Sequence, residues 1–99
     1  GIEGQQKIAT IMDNFRNNAP KQFAGVEVVT VEDYSMGNVN GLPKADVVKF
    51  MLADESWICV RPSGTEPKCK FYIGVKKESA RSSNEAITSL KQAVMQIVK

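Results

Sequence analysis

The chain has 99 residues, 42% hydrophobic and 24% charged, which suits one small domain over residues 1–99 with a single core. Its 13 Lys and Arg against 11 Asp and Glu leave a net charge of +2, too mild to specify a nucleic-acid or membrane surface. No apolar run reaches the roughly 18 residues a membrane span requires, and no basic-then-apolar leader opens the chain.

The first periodic segment is helical. Ile8, Ile11, Met12 and Phe15 recur at the spacing of one helix face, which predicts a helix from about Gly4 to Asn17. Asn17-Asn18-Ala19-Pro20 ends it, because Pro20 has no N–H to continue the ladder. Val26 to Val31 is rich in β-branched residues and reads as a strand. Ser35 to Leu42, with two Gly and two Asn, is an irregular link. Val47 to Leu52 and Trp57 to Val60 read as strands joined by a turn over Ala53 to Ser56. Cys69, Phe71, Ile73 and Val75 then alternate with Lys70, Tyr72 and Gly74, a strand with one buried and one open face.

The last element is a helix from about Ser83 to Val98. Ser82 and Glu85 form the pattern of a capping box, and Ile87, Leu90, Val94 and Ile97 make an apolar stripe. Met12 and Met95 read as core filling. Cys59 and Cys69 lie in strand-like runs and read as reduced core thiols, with a cross-strand bridge as the alternative. Neither belongs to a metal-ligand pattern. The order α-β-β-β-β-α predicts an α+β fold, a four-stranded mainly antiparallel sheet with two helices on one face.

Between two of these strands stands Arg61-Pro62-Ser63-Gly64-Thr65-Glu66-Pro67-Lys68, which collects what a phosphate monoester needs. Arg61 supplies a planar fork of N–H donors for two oxygens at once. Ser63 and Thr65 add hydroxyls, and Gly64 lets the backbone bend so that successive N–H groups converge on an anion. Pro62 and Pro67 stiffen both shoulders. The same residue types also make plain turns, yet two residues suffice to join adjacent antiparallel strands. The loop is not a Walker-type P-loop, since no Gly-Lys-Ser/Thr follows and no helix opens after it.

Those eight residues, followed by Lys70-Phe71-Tyr72, resemble the signature of the α-D-phosphohexomutases, the phosphoglucomutase and phosphomannomutase family. Asp33-Tyr34 with Gly37, Ala45-Asp46-Val47-Val48, Ser56-Trp57 and the opening from Gly4 to Phe15-Arg16 follow the same pattern, so the likeness covers nearly the whole chain. It implies the C-terminal domain of a four-domain enzyme, with a fold similar to half of the TATA-binding protein. In that family the loop grips the phosphate of the sugar substrate. Matching position by position, Arg61, Ser63, Gly64 and Thr65 become the phosphate contacts and Lys70 a weaker one. Lys68 is weaker still, and Glu66 should face away, holding the loop through backbone or lysine contacts.

The resemblance also implies what this chain lacks. The phosphorylated catalytic serine, the aspartate-rich magnesium loop and the sugar-recognition loop belong to the other three domains. There is no Asp-x-Asp-x-Asp run and no His here, so the chain is expected to bind phosphate without catalysing, and to hold no metal or cofactor itself. For the whole enzyme the likeness implies Mg2+, a glucose 1,6-bisphosphate-type activator, a hexose phosphate substrate and a cytoplasmic setting, with the other three domains as partners. The rival reading is a stand-alone interaction or RNA-binding module. Trp57, Phe71 and Tyr72 lack the arrangement of an RNP stacking motif, and Phe71 falls on the predicted core face, so neither nucleic acid nor membrane is an expected partner.

Overall fold

The computed structural model describes residues 2–98. Helix α1 (Ile2–Arg16) precedes strands β1 (Gln22–Phe23) and β2 (Val26–Asp33) and a 3-10 turn (Tyr34–Met36). Then come β3 (Val48–Leu52), β4 (Trp57–Pro62), β5 (Cys69–Gly74) and helix α2 (Ala80–Val98). Consecutive strands pair antiparallel in the order β1-β2-β3-β4-β5, a meander.

Strand alternation decides which face carries the core. Val48, Phe50 and Leu52 of β3 and Ile58 and Val60 of β4 point to one face, where Ile11, Met12 and Phe15 of α1 and Leu90 and Val94 of α2 meet them. Both helices therefore cover the same face, as the α+β pattern predicts. The Phe15 ring lies 6.1 Å from Phe50 and 5.7 Å from Phe71, and Phe23 meets Phe50 edge-on at 5.2 Å. Met12 fills the core as expected; Met95 does not, being 48% exposed. It follows Val94 by one residue, about 100° around the helix and off the apolar stripe.

The sheet has a fifth strand that the sequence reading lacks. Gln22 and Phe23 pair with Glu27 and Val26, around Ala24 (φ 51) and Gly25 (φ 81). Two successive left-handed residues are the geometry of a tight type I′ hairpin. A two-residue strand has no period to read, and alanine does not announce a positive φ. The hairpin brings Phe23, fully buried, into the aromatic cluster.

Helix α2 starts one turn before the predicted Ser83. The Ser82 N–H donates to Ser79 Oγ (3.1 Å), and the Ser83 N–H to the Ser79 carbonyl (3.0 Å), so Ser79 is the N-cap. The capping box expected of Ser82 and Glu85 does not form, because Ser82 already lies inside the helix and Glu85 pairs with Arg81 (3.3 Å). Capping at the earlier serine lets another turn of backbone satisfy its hydrogen bonds.

At the other end of the core, Arg16 ties α1 to the sheet. Its Nε donates to Asp33 Oδ1 (3.0 Å) and its Nη2 to Asp46 Oδ1 (2.7 Å). Burial alone would raise the Asp33 carboxyl, but the Ser35 N–H (3.0 Å) and the Arg16 guanidinium outweigh it and hold the group below its ordinary value. A carboxyl depressed by folding stabilises the native state above its unfolded pKa of about 3.9, and that contribution is lost as pH falls through the folded value. Asp33→Asn is thus expected to be less stable than the wild type at neutral pH, with the gap closing from about pH 5 downward. Urea denaturation across pH measures this; a gap constant with pH would show that the carboxylate's charge contributes nothing.

On the open face, Trp57 stands opposite Gly74 across β4 and β5. A Cβ at position 74 would overlap the indole ring, which covers the glycine of this edge strand. Gly74→Ala is expected to push the ring aside and cost about 1–3 kcal/mol. Trp57 is the single tryptophan, so its fluorescence reports the displacement while denaturation reports the loss. An unchanged midpoint would mean the ring moves aside without cost.

Candidate functional site

The β4–β5 hairpin builds the site. Its ladder runs further than predicted: Arg61 pairs with Lys70 and Pro62 with Cys69. Arg61 is therefore inside β4 and not its last residue, and its backbone is fixed by the neighbouring strand. The loop proper is closed where the Ser63 N–H donates to the Lys68 carbonyl (2.8 Å). Gly64 adopts φ 84, a conformation that a side chain would strain. The Lys68 N–H donates to the Glu66 carbonyl (2.8 Å), and the Lys68 ammonium lies 3.3 Å from the Glu66 carboxylate. Glu66 thus holds the loop through backbone and lysine contacts, but it does not simply face away as expected, since it lines a cleft together with Gly64 and Thr65.

Helix α1 supports the loop from one side. A Cβ on Gly4 would come within 2.7 Å of Pro67 Cβ, so only a glycine allows helix and loop this close. A cleft of about 310 Å³ opens there, with Gln5 and Ile8 on one wall and Gly64, Thr65 and Glu66 on the other. A larger cavity of about 390 Å³ runs along α1 beside Asp13, Arg16 and Asp46 and contains none of the predicted residues.

The predicted residues divide into two groups. Arg61 and Lys70 stand side by side on the sheet face away from the helices, directly opposite each other in register. Among the described residues neither forms an ion pair, and like charges directly opposite repel. Gly64 and Thr65 instead form a wall of the cleft. Ser63 joins the groups: it is 8% exposed, and its Oγ is buried without a hydrogen-bond partner in the protein. A buried hydroxyl without a partner is unfavourable by itself.

Sequence reasoning missed Tyr72 as the partner of Arg61. Arg61 Nη2 donates to Tyr72 Oη (2.9 Å), Nη1 donates to the Pro62 carbonyl (3.3 Å), and the guanidinium carbon lies 5.5 Å from the phenol ring centre. Alternation placed Tyr72 on the open face; its register against Arg61 depends on the length of the turn. Cys59, opposite Tyr72, shares that face, whereas Cys69 lies on the helix face against the core. The two thiols are free, and strand alternation keeps them from bridging. Burial raises both, opposed at Cys59 by Lys49 and Arg61 and reinforced at Cys69 by Asp46.

The whole defines a class: a small α+β domain whose edge hairpin presents a paired arginine and lysine beside a glycine-bent, hydroxyl-bearing loop. Residues 7–96 match the family described as phosphoglucomutase/phosphomannomutase, C-terminal domain. The chain belongs to that family. It is 42% identical over 86 residues to a phosphoglucomutase of Staphylococcus aureus (strain MSSA476), covering 77% of this chain and 15% of that protein. It is 39% identical over 97 residues to a phosphoglucomutase of Staphylococcus haemolyticus (strain JCSC1435), covering 88% and 18% respectively. The chain thus spans less than a fifth of the length of these relatives. No solved structure matches it.

Among the described residues no helix is long and apolar enough to cross a membrane. Nor do they gather three or more His, Cys, Asp or Glu side chains into a set able to hold a metal ion.

Proposed function

We propose that this chain grips the phosphate of a hexose phosphate, as the C-terminal domain of an enzyme that shifts a phosphoryl group between the C1 and C6 oxygens. The observation that carries this reading is the unneutralised pair Arg61 and Lys70, held in register at the base of the Gly64 loop. A dianion placed between two cations turns their repulsion into two attractions. Arg61 would hold two phosphate oxygens, Lys70 would act as a point charge, and Ser63 and Thr65 would supply hydroxyl donors beside the backbone bend at Gly64.

In the parent reaction the catalytic phosphoserine gives its phosphoryl to the sugar's free hydroxyl, forming a bisphosphate. That intermediate turns over and returns its other phosphoryl to the serine. A cradle that recognises phosphate and little of the sugar serves both orientations. The serine, the Mg2+ site and the sugar-recognition loop belong to the remaining domains, and a glucose 1,6-bisphosphate-type activator would prime the serine. This domain acts as a lid, its loop closing on the substrate and excluding water from the phosphoserine, in a cytoplasmic enzyme.

The test is an amide NMR titration of the chain with glucose 1-phosphate beside unphosphorylated glucose. The expected result is saturable shifts centred on Arg61 to Thr65 with the phosphate and none with the sugar. Equal shifts with both, or none with either, would remove the phosphate assignment. A steep, salt-dependent response to oligonucleotides instead would favour the RNA-binding module.

A further inference from the structure

We infer that Tyr72 is the positioning residue of Arg61, setting its guanidinium on the open sheet face before any anion arrives. The inference rests on the phosphate reading above and gives a role to a residue of β5 that lies outside the loop itself.

An arginine on an open sheet face has many rotamers, and freezing them on binding opposes affinity. At Arg61 two hydrogen bonds already restrict that freedom. Cys59 lies opposite Tyr72 and Arg61 opposite Lys70, so Tyr72 is the diagonal cross-strand neighbour of Arg61 on the same face, within reach of a long side chain. The phenol oxygen accepts from Nη2 at 2.9 Å, the Pro62 carbonyl accepts from Nη1 at 3.3 Å, and the ring centre lies 5.5 Å from the guanidinium carbon. A guanidinium carries five N–H donors. Two are engaged by these bonds, which leaves three for an anion while the plane stays fixed.

Tyr72 has little else to do. It is 42% exposed and lies on the face away from the core, so burial does not explain an aromatic residue there. Lys70, beside it, can only repel Arg61. Tyrosine suits this task because two side-chain torsions fix both the ring and the oxygen.

The experiment is a titration of the chain with inorganic phosphate at constant ionic strength, following the amides of residues 61–68 and the Arg61 Nε–Hε signal by NMR. It compares the wild type with Tyr72→Phe and Tyr72→Leu. Tyr72→Phe keeps the ring and removes the hydrogen bond; it is expected to raise the phosphate Kd about three- to tenfold. Tyr72→Leu should raise it further. In both variants the Arg61 Nε–Hε resonance should shift toward that of a free arginine even without phosphate, a signature that a purely structural role would not produce. Thermal unfolding of the same samples checks that both variants fold.

Wild-type binding with unchanged affinity and an unchanged Arg61 signal in Tyr72→Phe would overturn the role of Tyr72 and leave the phosphate reading standing. No phosphate shifts in the folded wild type would overturn both.

Discussion

Phe50→Ala is expected to destabilise the chain by about 3–5 kcal/mol, the range for removing a fully buried phenylalanine. Phe50 is wholly inaccessible to solvent and lies in the central strand β3. Its ring meets Phe15 of α1 at 6.1 Å and Phe23 of the β1 hairpin at 5.2 Å, so one side chain joins the helix layer, the sheet and the added strand. Truncation removes the apolar transfer energy of the ring and leaves a cavity whose walls sit on three different elements. Such walls cannot all collapse inward together, which places the cost toward the upper end. Against a total stability of about 5–15 kcal/mol for small domains, the loss should lower the melting temperature by roughly 12 °C or more. Phe50→Leu, which keeps most of the volume, should lose less. Urea denaturation measures both; a loss below about 1 kcal/mol for Phe50→Ala would mean that the core repacks freely around position 50.

Arg61→Ala is expected to weaken phosphate or hexose phosphate binding by about 10- to 150-fold. That figure corresponds to the roughly 1.5–3 kcal/mol of a charge-assisted hydrogen bond whose donor is held in place. The fold should be spared, because Arg61 lies on the open face while its neighbours Val60 and Phe71 carry the packing. Arg61→Lys keeps the charge but loses the fork, so it should recover only part of the affinity. Lys70→Ala should lose less than Arg61→Ala, since an exposed ammonium is a screened point charge. Isothermal titration beside thermal unfolding separates binding from stability. Unchanged affinity in a folded Arg61→Ala variant would take Arg61 out of the site and the hairpin with it.

Much of this was legible in the sequence because it is local. The spacing of Ile8, Ile11, Met12 and Phe15 predicts α1, and the alternation from Cys69 to Val75 predicts which side of β5 meets the helices; both hold in the structure. The loop from Arg61 to Lys68 is recognisable as a string, since its residue types carry their chemistry wherever they stand. Residue type alone does not place every boundary. Ser79 and Ser82 are both acceptable N-caps, and the choice between them follows from how far backbone bonding extends. The hairpin at Ala24 and Gly25 is too short to show a period, and its worth comes from the distant ring that Phe23 meets.

Both helices, the four longer strands, their apolar faces and the family's loop could be read from local sequence, because these depend on periods of two or 3.6 residues and on the chemistry of single side chains. The tertiary structure alone decided register: that Arg61 faces Lys70, that Tyr72 reaches the guanidinium, that Trp57 lies over Gly74 and that Gly4 admits Pro67. The physical reason is that register is set by turn geometry and by the packing of both faces together. Neither is a property of any one segment, so the arrangement of the candidate site became visible only once the strands were paired.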